Sequence, residues 1–300
     1  MVAQVPTTAP LTEIPSAALR RVPGLEDGRA PLSWRRFTCG TVNEVFRVDT
    51  PQGRFVLRLD GARWRRPGVD RAREHALHSA AAAAGLAPAL VHAAPEEGLL
   101  IMEYLEGCPW NRDDYAKPEN LARLGARLAQ LHALAPPPLT PLDPLGTALA
   151  YAAAIPDSAE FDAAERALLE TVLRRLQDAA AAMAASASPT GIIHGDLVHS
   201  NLLAGSRLWL VDWEYAQIAD PVMDAACLLA YYPAARPHAA VLLAATGLEM
   251  GGIGQRLAAG MYVYEALTWL WHRARGERAS PPVWGTGLAS APARRQTTAP

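Results

Sequence analysis

Short apolar runs separated by turn residues occupy the first third of the chain, and longer stripes at helical spacing fill most of the rest. From Trp34 to Asp60 the order reads strand, turn, strand: residues 45–48 and 54–59 flank the turn Thr50-Pro51-Gln52-Gly53. Residues 70–84 are helical in composition and stop at Gly85, with Pro88 just beyond. Residues 99–102 form a further strand, with Glu103-Tyr104-Leu105-Glu106-Gly107 as its exit. Leu121, Leu124, Leu128 and Leu131 then make one stripe of an amphipathic helix over 118–134. The Pro-rich run 135–146 reads as a loop, 161–185 as a second long helix, and 225–232, 239–245 and 255–275 as later helices. No internal repeat interrupts this order. Residues 1–15 and 277–300, rich in Pro, Ala, Thr and Gly, are expected to be frayed.

A chain of 300 residues suits one two-lobed domain or two domains and can bury a large core. Its formal net charge of -2 lacks the basic footprint of a nucleic-acid binder. Cys39, Cys108 and Cys227 are scattered and not in metal-ligand spacing, which fits reduced thiols in a cytoplasm. Residues 1–11 carry neither the basic start nor the apolar run of a signal peptide. No apolar window reaches the roughly 18–20 residues that a membrane span needs. The expectation is therefore a cytoplasmic protein without a nucleic-acid or membrane partner.

Candidate chemistry concentrates in residues 193–215, I-H-G-D-L-V-H-S-N-L-L-A-G-S-R-L-W-L-V-D-W-E-Y. Asp196 and Asn201 share a segment too irregular for a helix. Leu202-Leu203 and residues 208–211 then read as two strands around the turn Gly205-Ser206. A hairpin there sets Asn201 beside Asp212 at its open end. Two oxygen ligands held side by side suit Mg²⁺, which completes its shell from water and substrate phosphates.

H-G-D-x-x-x-x-N followed by D-W-E resembles the catalytic core of the aminoglycoside phosphotransferase and choline kinase superfamily, which shares the protein-kinase fold; the resemblance covers roughly residues 35–275. It implies an α+β, two-lobed protein-kinase-like fold. A small antiparallel-sheet N-lobe over 16–105 would bind nucleotide, and a larger, mostly helical C-lobe over 106–276 would carry the catalytic and acceptor sites. The implied cofactors are ATP and Mg²⁺. In protein kinases a catalytic-loop Asp receives the hydroxyl proton, and an Asn and a second Asp hold metal. By resemblance these are Asp196, Asn201 and Asp212. D-W-E stands where protein kinases have D-F-G, so the glycine of their switch is missing.

The remaining candidates follow from this frame. Gly40, Thr41 and Asn43, between two strands, are the one candidate phosphate loop. Arg58 stands where the phosphate-binding lysine would be, with Glu74 as its ion-pair partner; outside this frame it would read as a surface arginine on an edge strand. Glu103 and Leu105 would meet adenine through main-chain groups. His194 is assigned to orienting the loop, and His199 receives no role. Asp220-Pro221-x-x-Asp224 reads both as a helix cap and, by resemblance, as a brace in which Asp224 holds the catalytic-loop backbone. Aromatic residues are plentiful and carboxylates few between Trp213 and Trp284, which favours a single cation held by ring faces over a polycationic antibiotic. Trp213, Glu214, Tyr215, Trp269 and Trp271 are the acceptor candidates, each ring having a core alternative. The expected activity is transfer of the ATP γ-phosphoryl group to the hydroxyl of a small amine or cation such as choline, ethanolamine or thiamine. An aminoglycoside or sugar kinase of the same fold is the first rival. A catalytically silent nucleotide-binding protein is the second.

Overall fold

A computed structural model of the chain describes residues 14–37, 43–61, 68–156, 162–185, 189–248 and 251–283. Strands β1 (Ser33–Arg36), β2 (Glu44–Thr50), β3 (Gly53–Leu59), β4 (Leu90–Ala94) and β5 (Leu99–Glu103) form an antiparallel sheet in the order β1-β2-β3-β5-β4. Thr50 pairs with Gly53, so Pro51-Gln52 is a two-residue turn. Alternation gives the sheet two unlike faces. One buries Phe46, Val48, Phe55, Leu57 and Ile101 against Ile14, Val22, Leu25 and the short helix α1 (Ser16–Leu19). The other carries Arg58. Because β3 is central, Arg58 is not an edge residue, and it is only 7 % exposed.

Helix α2 (Arg71–Ala83) starts where the Asp70 carboxylate accepts the Arg73 N–H at 3.0 Å. It ends on Gly85 at φ 67°, with Gly85 N–H bonded to Ala82 O and Leu86 N–H to Ala81 O. Although it lies between β3 and β4 in sequence, its buried Leu77 and Ala81 join the core of the helical part. That part comprises α3 (Pro118–His132), α4 (Pro144–Ala153), α5 (Ala163–Ala184), α6 (Val222–Tyr231), α7 (Ala239–Thr246) and α8 (Ile253–Ala274). The α3 stripe of Leu121, Leu124, Leu128 and Leu131 is fully buried. Five short strands thread between these helices: β6 (Cys108–Pro109), β7 (Gly191–Ile193), β8 (Leu202–Ala204), β9 (Leu208–Leu210) and β10 (Gln217–Ala219).

Two expectations change. The loop assigned to 135–146 ends earlier, because α4 begins at Pro144, where proline has no N–H to lose. Tyr151 of α4 packs with α5 and α8 in a separate core cluster. The ends are also better anchored than expected as far as the described residues run. Ile14 is buried. Glu277 bonds His272 at 2.7 Å and Arg275 at 2.6 Å, and the Val283 N–H reaches Glu265 at 2.9 Å. Among the described residues no helix is long and apolar enough to cross a membrane.

Candidate active site

The candidate catalytic loop leaves β7 at His194 and is held mainly through its backbone. Asp224, fully buried in the first turn of α6, accepts N–H bonds from His194 at 3.1 Å and Gly195 at 2.9 Å. It also meets His132 Nε2 at 2.9 Å. Asp224 thus bonds two successive backbone N–H groups of the loop. Asp220 also caps: its carboxylate accepts the Val222 N–H at 3.0 Å. Gly195 sits at φ 76°, and a Cβ there would lie 2.5 Å from Tyr215 O, so a side chain is excluded twice over. His194 is fully buried. Its Nε2 faces Val211 O at 3.1 Å, and its Nδ1 accepts the Asp196 N–H at 3.3 Å, which sets the ring between the loop and the exit of β9. Two residues absent from the sequence expectations complete the hold. Tyr115 donates to Leu197 O at 2.9 Å, the Tyr232 hydroxyl accepts the His199 N–H at 2.8 Å, and the two rings stack 3.6 Å apart.

Asp196, Asn201 and Asp212 converge. Asn201 Nδ2 donates to Asp196 O at 3.0 Å and to Asp196 Oδ2 at 2.9 Å. Leu202 pairs with Leu210, and the Val211 N–H reaches Asn201 O at 3.0 Å, which sets Asp212 next to Asn201. Asp212 has φ 65°, the one positive value outside glycine among the described residues. Such a conformation persists where its surroundings enforce it. Burial, then the Glu214 charge, pushes the Asp196 carboxyl up to about 7, against the Asn201 hydrogen bond. Desolvation and the carboxylates of Glu214 and Asp196 also raise Asp212, opposed by Arg58; with 43 % of its side chain still open to the cleft, solvent moderates that rise. Crowded carboxylates with an amide oxygen beside them fit a hard cation. Among the described residues no cluster of three or more His, Cys, Asp or Glu could hold a metal by itself.

Above this pair lies a buried ionic network. Arg58 reaches both Glu74 oxygens, at 2.5 and 2.9 Å, and its Nη1 lies 4.0 Å from Asp212. Arg71, unmarked by the sequence reading, bonds Asp60 at 2.7 Å, Glu74 at 2.7 Å, Glu214 at 3.2 Å and Asn43 at 3.3 Å. Its one sequence signal was its position three residues before Glu74 on α2, where helix side chains meet. Gly40 and Thr41 lie outside the described residues; Asn43, at the base of that loop, donates to Glu214 at 3.2 Å. At the exit of β5 the Glu103 N–H is taken by Ala89 O at 3.0 Å and the Tyr104 N–H by Arg54 O at 3.0 Å. The Glu103 N–H is therefore committed within the sheet, and Leu105 follows those bonds.

The acceptor candidates are the ones the structure revises. Trp213 is fully buried, stacked near His78 and edge-on to His194, with its N–H on Leu210 O; it is packing between α2 and the catalytic loop. Trp269 is 2 % exposed in the α4–α5–α8 core. Neither ring can offer a face to a ligand. Glu214 is buried and occupied by Arg71 and Asn43. Trp271 is half-buried, with the Arg275 guanidinium over its ring at 4.4 Å. Tyr215 remains half-buried beside the loop. On α8 the ring within electrostatic reach of Asp196 is Tyr264, its phenol raised by burial, Cys227 and then Asp196.

Fold and site together define a two-lobed α+β protein of the protein-kinase-like class. Residues 33–259 match the phosphotransferase enzyme family, and the chain belongs to that family. Among solved structures, a choline/ethanolamine kinase family protein from Mesorhizobium loti is similar at TM-score 0.69 and 24 % identity, over 85 % of this chain and 83 % of that one. Choline kinase LicA from Streptococcus pneumoniae is similar at TM-score 0.67 and 18 % identity, over 84 % and 88 %. A spectinomycin phosphotransferase, solved with ADP and spectinomycin, is similar at TM-score 0.56 and 12 % identity, over 84 % of each chain. At these identities the likeness is one of fold.

Proposed function

We propose that the protein is an ATP- and Mg²⁺-dependent kinase that phosphorylates the hydroxyl of a small amine or cation of the choline, ethanolamine or thiamine kind. The observation that carries the phosphotransfer reading is the meeting of Asp196, Asn201 and Asp212 beneath the Arg58–Glu74 pair. Asp196, poised near neutrality, accepts the proton of the acceptor hydroxyl. Asn201 fixes that carboxylate through Nδ2, and its amide oxygen, which accepts from Ser200 Oγ at 3.2 Å, would hold the metal with Asp212. A Mg²⁺ ion held by these residues would supply neutralisation of the phosphate charge. Arg58, anchored on Glu74 with Nη1 4.0 Å from Asp212, stands at the same cleft and would address the phosphates. Positioning and electrostatics supply most of the acceleration in such a site.

Support for the acceptor class comes from the shortage of carboxylates between Trp213 and Trp284 and from the likeness to choline and ethanolamine kinases. With Trp213 and Trp269 in the core, half-buried Tyr215 beside the loop and Tyr264 on α8 are the rings assigned to the acceptor. The test is a coupled ADP-release assay with Mg-ATP over a panel of choline, ethanolamine, thiamine, aminoglycosides, spectinomycin and simple sugars. Turnover of the first three supports the proposal. Preference for an aminoglycoside or sugar replaces the acceptor class, and nucleotide binding without ADP release from any acceptor favours a silent nucleotide-binding protein.

A further inference from the structure

One side chain ties the walls of the cleft together without facing the reacting atoms. Arg71 is 4 % exposed, and its guanidinium reaches four partners on four stretches of chain. Asp60 ends β3, Glu74 lies one turn on along α2, Asn43 precedes β2, and Glu214 follows Asp212 by two residues. Asn43 closes the ring by donating to Glu214 at 3.2 Å. Glu74 already receives Arg58 on both oxygens, so Arg71 is not needed to neutralise it. Its charge instead answers Glu214, whose one cationic contact among the described residues it is, and joins Arg58 Nε, 3.5 Å away, at Asp60. Glu214 is also the charge that Asp196 and Asp212 both feel. Whatever fixes Glu214 therefore also fixes one of the charges that act on the reacting carboxylates.

We propose that Arg71 is a positioning residue that locks α2, the base of the β1–β2 loop and the metal-binding segment into one arrangement, so that Arg58 and Asp212 address the same nucleotide. This rests on the phosphotransfer reading above. Lysine cannot replace the fork, because a single ammonium cannot span Asp60 and Glu214 at once. The apolar contact of Trp213 with α2 remains when the ionic tie is cut, so the cut loosens geometry and leaves the core in place.

The test uses the full chain as wild type, Arg71→Lys, Glu214→Gln and the double variant. The expected result is a KM for Mg-ATP raised on the order of ten-fold in each single variant, an unchanged acceptor KM, and a double variant no worse than the weaker single. Hydrogen exchange should show the amides of α2 and of residues 212–216 losing protection together. Should Arg71→Lys fail to fold, Glu214→Gln, which keeps shape and removes only charge, carries the test. A normal Mg-ATP KM in folded Glu214→Gln, or additive effects in the double variant, overturns the inference. If wild type turns over no acceptor, the functional reading fails by itself. The lock is then judged by exchange alone: joint loss of protection supports it, and loss in one segment only refutes it.

Discussion

Asp196 and Asp212 differ in what surrounds them, and their substitutions should separate accordingly. Asp196 accepts from Asn201 and contacts neither arginine of the cleft, so its loss removes the base and leaves the nucleotide side intact. Asp196→Ala should lower turnover on the order of 10²–10⁴ with ATP affinity retained, read by ADP release and calorimetry. Asp212 sits at φ 65° among carboxylates. Asp212→Asn should weaken Mg-ATP binding and yet raise the Tm of the free protein by a few degrees, since one of the repelling charges is gone; a lower Tm would contradict the crowding argument. The placement of these residues was legible because one loop and one hairpin bring them together within a few residues of chain. Glu214 was singled out as an acceptor candidate, but its pairing was not legible: Arg71 lies 143 residues away, and nothing local marks the pair.

At the scale of elements, periodicity showed which stripe of α3 is buried but not what it meets. Gly125 lies on that face, and a Cβ there would fall 2.6 Å from Ala245 Cβ and 2.7 Å from Leu242 O on α7. Helix propensity alone would reward Gly125→Ala by about 1 kcal/mol. Overpacking against a backbone carbonyl costs about 1–3 kcal/mol. The second effect should win, so Gly125→Ala is expected to lower the urea midpoint by the equivalent of about 1 kcal/mol. A stabilised variant would mean that the α3–α7 crossing is looser than described. The same limit explains Trp269. Helix α8 buries Met261, Tyr262, Val263, Ala266, Trp269 and Leu270, so packing on several sides decides which rings reach the cleft, and composition cannot. Local signals placed α2 and its Gly85 stop well, because capping is settled within a few residues. They missed the start of α4, where a Pro-rich run and a helix N-terminus look alike.

Across the whole molecule, the small sheet and the larger helical part were both readable from the change of hydrophobic period, but their union was not. Helix α2 belongs to the sheet by order and to the helical core by packing, and His78 is at that junction. Its Nε2 lies 2.9 Å from Pro88 O, where the neutral ring donates. Burial pushes its pKa down to about 4, with the Pro88 bond and Glu74 opposing and Arg58 and His75 adding to the fall. An unfolded histidine titrates near 6.5. The unfolded chain therefore takes up this proton first, and the stability that His78 contributes is complete above about pH 6.5 and lost as pH falls toward 4. Asp196, raised in the folded state, works in the opposite sense over an overlapping range, so the wild-type curve alone would mix the two. The informative quantity is the difference from His78→Gln, which keeps a donor and does not titrate. Between pH 7.5 and 5 wild type should lose about 2 kcal/mol relative to that variant, measured from urea midpoints. Parallel pH profiles would mean that His78 is solvated at the junction, and that α2 is not sealed against the helical core.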